Sequence, residues 1–389
     1  METVPFIDQP EALKAFCERL KGVDWFALDT EFIREKTYYP QLCLIQVATP
    51  EEVACIDPLN LEDLSPLTHL LFDPNITKVL HAASQDLEIF FHQQGRVPGP
   101  IFDTQVAASL LGHGDQVGYG KLIQLVLGVE LEKGQSRTDW AQRPLETIQL
   151  RYAADDVHYL ARAYPLMRQA LEDNGRLAWL EDDFQRMQDP RTYQPDPETI
   201  WRRLKGINTL RGEQALAVAR NLARWREQEA MRLDRPRRWL LQDEVILDLA
   251  RRKPRDLKTL ERVRGLAEQT ARRHGDTLLE LIREGAQCPS ADCPTLPPRT
   301  RLEADQEALV DVAMGLLRHL ALKNDISPAA IATRRDLEAL VSGDPDCSLL
   351  QGWRARLAGR ELSTWLRGET GLSVRGHQLT LTHGENPER

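Results

Sequence analysis

The sequence contains no C-x-x-C pair and no Cys/His cluster. Its six cysteines (Cys17, Cys43, Cys55, Cys288, Cys293 and Cys347) are scattered along 389 residues. That excludes a disulfide framework and a thiolate zinc site, and the thiols read as reduced side chains of a cytoplasmic protein. Long apolar runs are missing too: none approaches the roughly 20 residues that a membrane span requires. The acidic start METVPFIDQPEALKAF has no basic segment ahead of an apolar one, so no signal peptide is expected. No G-x-x-x-x-G-K-[ST] loop occurs, which excludes a helicase. What is present is globular: 42% apolar and 28% charged residues, enough for two or three domains with cores of their own.

The net charge of -9 argues against a nucleic-acid partner until its distribution is considered. Residues 200–285 hold 21 Lys and Arg against 13 Asp and Glu, a surplus of +8 that leaves -17 for the rest. An acidic body joined to a basic module suits polyanion binding, because Lys and Arg displace counterions condensed on phosphates. Solvated helix faces would give the same composition.

In the first half, WFALDTEF (25–32), LCLIQVAT (42–49) and VACIDP (53–58) read as sequential strands, separated by turn signals at Pro40 and Pro50. KVLHAA (78–83) is a fourth strand, followed by a helix from about Ser84, and a long helix runs from about Leu145 to Asn174-Gly175. Three strands followed by alternating strand and helix predict an α/β sheet that begins as an antiparallel meander. After the Pro-punctuated DPRTYQPDP (189–197), no β-like run is expected. Residues 200–285 read as four or five amphipathic helices, and CPSADCPTLPPR (288–299) is a second linker. Residues 215–254 and 308–345 share one pattern: a helix, a polar loop with a proline, and a helix ending at a proline. Two such units point to duplicated modules rather than a solenoid. The closing THGENPER looks frayed.

Asp29 and Glu31 interrupt an apolar strand at i and i+2, which puts both side chains on one face. Neighbouring carboxylates repel, so one holds a proton unless a hard divalent cation lies between them. On an edge strand both would simply face solvent. Asp86, in HAASQDLEIF, falls just beyond a strand end, where sites of open α/β sheets often form; a first-turn acid favoured by the helix dipole looks the same. Tyr152 and Asp156, four apart on a helix, share a face, so that the acid can bind metal and the phenol can orient water or phosphate. Asp155 competes with Asp156 for that role, and a plain polar helix surface also fits.

Together these motifs resemble the three exonuclease motifs of the DEDD superfamily in its tyrosine subclass. DTEFIREKTYYPQLCLIQVA (29–48), VLHAASQDLEIF (79–90) and YAADDVHYLARAYPLM (152–167) are similar to the bacterial ribonuclease D family, and the helical repeats resemble HRDC modules. The resemblance implies an RNase H-like mixed sheet flanked by helices, followed by two all-α HRDC-like domains. Its divisions would be an exonuclease domain at 1–188, a linker at 189–199 and a first HRDC domain at 200–286. A Pro-rich linker at 287–300, an HRDC-like domain at 301–372 and a tail at 373–389 would follow. It implies that Asp29, Glu31, Asp86 and Asp156 bind two divalent ions, Mg²⁺ or Mn²⁺, while Tyr152 positions the attacking water. Two metals about 4 Å apart activate a water on one side of a phosphodiester and stabilise the leaving oxygen on the other. The implied activity is 3′ to 5′ trimming of tRNA precursors and other structured small RNAs, releasing nucleoside 5′-monophosphates, with no membrane and no obligate protein partner.

His81 is expected in a hydrogen-bonded core role rather than as a metal ligand. Gln85 either meets substrate or caps its helix. Arg137, Trp140 and the surrounding GQSRTDW touch RNA or form an exposed loop. Trp225, Arg226, Arg235, Arg237, Arg238 and Trp239 interleave aromatic and basic side chains, as single-stranded RNA binding requires, although most of the tryptophans are expected in the core. Two other readings share part of this evidence: an RNA-binding scaffold without catalysis, and a DNA exonuclease.

Overall fold

The computed structural model describes residues 4–132, 134, 138–296 and 302–383. In it the apolar runs of the first half pair into one six-stranded sheet. The strands are β1 (Phe6–Ile7), β2 (Trp25–Ile33), β3 (Gln41–Ala48), β4 (Val53–Ile56), β5 (Thr77–Leu80) and β6 (Ile101–Asp103), in the order β1-β4-β3-β2-β5-β6. β2, β3 and β4 form the antiparallel meander, whereas β5 and β6 run parallel to β2 and β1 runs parallel to β4.

Alternation along β2 serves two helical layers. Phe26 and Leu28 bury against α1 (Pro10–Arg19), α2 (Ser65–Leu71) and α3 (Ser84–Gln94). Ala27 faces the opposite layer of α4 (Thr104–Leu110), α5 (Tyr119–Leu127) and α6 (Thr147–Asp173). α6 is 27 residues long, about 40 Å, and crosses β2, β3, β4 and β5. Buried Ala153, Ala154, Ala161 and Ala163 let its backbone lie close to the sheet. α7 (Glu181–Met187) closes this half. The segment read as a first linker is packed down: Tyr193 is buried, donates its hydroxyl to the Met187 carbonyl (2.7 Å) and lies 6.2 Å from the Phe91 ring.

The basic segment forms α8 (Glu213–Leu233), α9 (Arg237–Leu240), α10 (Asp243–Arg252), α11 (Leu257–Leu260) and α12 (Glu268–Ala286) around a core of its own that includes Trp201, Leu222, Ile246 and Leu278. Gly285 is needed there, because a Cβ would stand 2.6 Å from the backbone of Val218 where α12 crosses α8. The next segment repeats the order as α13 (Ala304–Lys323), α14 (Pro328–Ile331) and α15 (Arg334–Val341), then adds α16 (Gly352–Arg354) and α17 (Arg360–Leu366). Its core is continuous with that of α4–α6. Trp353 stacks on Trp179 with centroids 4.8 Å apart, and Arg176 donates to the carbonyls of Leu110 (2.7 Å) and Asn324.

One expectation fails. Strands do follow residue 190: β7 (Thr370–Arg375) and β8 (Gln378–His383) form an antiparallel hairpin. Its two-residue turn, Gly376-His377, has both φ angles positive, as a type I′ turn demands. Leu372, Leu379 and Leu381 rest against the helical core, so this period-two pattern gains a partner surface that only the folded module provides. Of the supposedly frayed THGENPER, Thr382 and His383 belong to β8, and the remainder lies outside the described residues.

Candidate active site

The same alternation that buries Phe26 and Leu28 under α3 turns Ala27, Asp29 and Glu31 toward α6. Just past Glu31 the register slips: Glu31 faces Leu44 but Phe32 faces Leu42, leaving Cys43 as a bulge in β3. Bulges end regular pairing and re-aim side chains, and this one follows directly on the second acid. α6 supplies the other wall. One carboxylate oxygen from each of Asp29, Glu31 and Asp156 lies within 4.8 Å of the other two, and Tyr152 is hydrogen-bonded to Asp156.

Asp86 arrives from the other layer. It is buried in the first turn of α3 and accepts a short hydrogen bond from the hydroxyl of Thr30, the residue between the two strand acids. It lies outside the three-acid group, yet its charge acts on both Asp29 and Glu31. Asp103 fixes that turn. Its carboxylate accepts the N–H groups of Ala82 (3.2 Å) and Ala83 (2.8 Å) ahead of α3, and of Gln105 (2.7 Å) and Val106 (3.3 Å) at the start of α4. Ala82 takes a left-handed φ of +58°, a conformation alanine adopts only when its surroundings enforce it.

Burial and mutual repulsion set the protonation of the cluster. Burial first, then Asp86, Asp156 and Glu31, hold Asp29 well above the usual carboxylate range. Glu31 is pushed up to about 8 by burial and then by Asp156 and Asp86. Burial lifts Asp86 to about 7 against the opposing Thr30 hydroxyl, and Asp156 to about 7 against the Tyr152 hydroxyl. Such a group holds either protons or a cation. The donor set fits a cation: all ligands are hard oxygens, and metal–oxygen distances of about 2.0–2.6 Å place ligand oxygens roughly 3–5 Å apart.

Other side chains brace the site. Trp140 is buried, 6.3 Å from the Tyr152 ring, so it neither touches RNA nor lies in an exposed loop. Arg143 makes a two-point ion pair with buried Asp57 (2.7 and 2.8 Å) and donates to the Cys43 carbonyl, anchoring the chain ahead of α6 on the bulge. Nothing in the local sequence marks Arg143 or places Trp140 against Tyr152, whereas Asp103 follows the ordinary helix-capping pattern. Gln46, opposite Asp29 on β3, is fully buried, and neither of its amide atoms is hydrogen-bonded among the described residues. His81 bonds Thr104 (3.0 Å) and meets the Tyr119 ring edge-on, in agreement with a core role. Asp155 stands outside the cluster, and the Tyr119 hydroxyl donates to its backbone carbonyl at 2.9 Å. Gln85 is exposed and does not cap α3. Arg137 lies outside the described residues.

The aromatic and basic residues of the second unit divide into two sets. Arg226 is buried and bonded to the Leu241 carbonyl and to Asp243, and Trp225 meets His274 edge-on. Arg237 pairs with buried Glu227. Arg235, Arg238 and Trp239 are exposed.

A mixed sheet of this order, with acids gathered on its central strand, is the architecture of a 3′–5′ exonuclease, a class that works with divalent metal ions. The sequence profile of the 3′–5′ exonuclease family matches residues 4–172, and that of the HRDC domain matches residues 215–282. The chain is 41% identical over 380 residues to the ribonuclease D of Acidiphilium cryptum, covering 96% of each chain. It is 40% identical over 379 residues to that of Granulibacter bethesdensis, covering 96% of this chain and 95% of the relative. Among solved structures, Escherichia coli RNase D, described as an exoribonuclease involved in structured RNA processing, superposes with a TM-score of 0.83 at 34% identity, covering 94% of this chain and 99% of that one. The chain belongs to the ribonuclease D family and is a 3′–5′ exoribonuclease.

Proposed function

We propose that the protein trims the 3′ ends of tRNA precursors and other structured small RNAs in the cytoplasm, releasing nucleoside 5′-monophosphates. The observation that carries this reading is the convergence of Asp29, Glu31 and Asp156, with Asp86 and Tyr152 beside them, where β2, α3 and α6 meet. In this reading Asp29, Glu31, Asp86 and Asp156 hold two divalent ions, Mg²⁺ or Mn²⁺. When bound, the ions activate water and stabilise the leaving 3′ oxygen. Tyr152 orients the attacking water. Burial and the neighbouring acids raise the pKa of its phenol, so it keeps its proton at neutral pH and can donate a hydrogen bond. Thr30 and Asp103 hold Asp86 in place for its share of the load.

Residues 1–188 carry the chemistry in this reading, while the helical units at 200–286 and 301–372 hold the RNA body through backbone charge. Substrates are then selected by an accessible 3′ end and by shape rather than by sequence. Among the described residues, no helix is long and apolar enough to cross a membrane.

The test is a time course on precursor tRNA labelled at either end, with Mg²⁺, with Mn²⁺ or with EDTA, beside 2′-deoxy oligonucleotides. Stepwise release of mononucleotides from the 3′ end, stopped by EDTA and preferring the 2′-hydroxyl substrate, is the expected outcome. Salt-sensitive binding without cleavage would mean a scaffold, and a preference for the deoxy substrate would mean a DNA exonuclease.

A further inference from the structure

The loop that leaves the acid-bearing strand does not return directly to the sheet. It first reaches the HRDC unit. Tyr38, 4% exposed, donates its hydroxyl in a short hydrogen bond to the fully buried Glu227 of α8. Arg237 of α9 pairs with the same carboxylate at 3.1 Å and places its guanidinium 5.5 Å from the Tyr38 ring centre. Asp234, at the left-handed end of α8, accepts the backbone N–H groups of both Tyr38 and Tyr39 at 3.0 Å. From the other side, Arg34 donates to the Tyr38 carbonyl at 3.0 Å and pairs with Glu88 of α3 at 3.0 Å, while Tyr39 stands edge-on to His92. One short loop therefore ties α8 and α9 to α3, the helix whose first turn carries Asp86.

Trp239 lies on α9, two residues beyond the latched Arg237, and is 56% exposed. Arg235 and Arg238 precede it in the chain, both exposed, and among the described residues neither lies within ion-pair distance of a carboxylate, although the charge of Arg238 is felt by Asp243. An exposed indole one and four residues beyond two exposed guanidinium groups suits a nucleobase and its phosphates, since bases stack on aromatic faces while Arg neutralises the backbone. The surplus of Lys and Arg in this unit favours a polyanion over an apolar protein surface.

We propose that Trp239, with Arg235 and Arg238, is a stacking platform for an unpaired base of the RNA strand that feeds the acid site. The Tyr38–Glu227–Arg237 latch sets the platform's position relative to α3, so Tyr38 and Asp234 are positioning residues. The proposal rests on the exoribonuclease reading for the identity of the strand, but its test does not require turnover.

The experiment measures fluorescence anisotropy of labelled hairpin RNAs with 3′ single-stranded tails of increasing length, in EDTA. The full-length wild type is compared with W239A, W239F, Y38F and D234G, and each variant's unfolding midpoint is recorded. One stacked base lost weakens binding about tenfold in W239A, only on tails long enough to reach the platform, and W239F recovers most of it. Y38F and D234G, which break the latch at different atoms, shift binding in the same direction; in metal they raise KM more than they lower kcat. Unchanged affinity in W239A, or an equal loss at every tail length, overturns the platform. Normal binding in both folded latch variants overturns the latch. A wild type that binds tailed RNA but releases no nucleotide with either metal sinks the exoribonuclease reading while leaving the platform to be judged by W239A.

Discussion

Replacing Asp156 with Asn should stabilise the metal-free protein while removing its activity. The exchange keeps the shape, leaves an oxygen to accept the Tyr152 hydroxyl, and deletes one charge from the cluster. In the folded chain, burial first and Asp155 second move the Asp156 carboxyl from 3.8 to about 7. A carboxyl raised in the folded state costs nothing below pH 4, where both folded and unfolded chains hold the proton. Above pH 4 the unfolded chain ionises while the folded one still holds its proton, so stability falls as pH rises from about 4 to 7 and levels off once the folded carboxyl ionises too. Roughly three pH units at about 1.36 kcal/mol each set an upper bound of about 4 kcal/mol at pH 8. Water at the cleft and coupling among the acids bring the expected gain to about 2–4 kcal/mol, an unfolding midpoint higher by roughly 5–10 °C. At pH 4.5 about a quarter of the gain remains. The assay is thermal unfolding of wild type and D156N from pH 4.5 to 8.5 in EDTA, repeated with Mn²⁺. Metal at a hundredfold its Kd adds about 2.7 kcal/mol to the wild type alone, which narrows or reverses the gap. A D156N protein less stable than wild type at pH 8, or a gain independent of pH, would refute the picture of buried carboxylates in mutual repulsion.

Three further outcomes follow from the same geometry. D156N should show no nucleotide release while still binding RNA, whereas D155N should remain active; a dead D155N in a quantitative release assay would mean that the wrong acid of the pair has been assigned. T30V deprives Asp86 of its hydroxyl donor and should weaken Mn²⁺ binding about 10- to 100-fold in calorimetry, with little change in helix content. D103A leaves four N–H groups around α3 and α4 without their acceptor and should lower stability by about 2–4 kcal/mol in urea unfolding; a loss under 0.5 kcal/mol would mean that water satisfies those groups.

Much of the site was legible in the chain because strand and helix periodicity are local. Asp29 and Glu31 at i and i+2 had to share a face, as did Tyr152 and Asp156 at i and i+4, and the meander and the long α6 follow from turn residues and apolar spacing. The repeated helix order of the two C-terminal units was likewise visible as a pattern. Spacing alone left two choices open: edge strand or central strand for Asp29, and Asp155 or Asp156 on α6. Tertiary structure puts β2 between β3 and β5, an interior strand, and gathers Asp156 with Asp29 and Glu31 while Asp155 stands aside. Only packing could assign Trp140 to the support of Tyr152, Arg226 to the HRDC core and Trp239 to the surface, since composition is the same for a buried and an exposed tryptophan. The hairpin at β7–β8 and the latch at Tyr38 belong to the same class. Each needs a surface from a distant part of the chain, and a sequence states the residues of such a contact without stating that they meet.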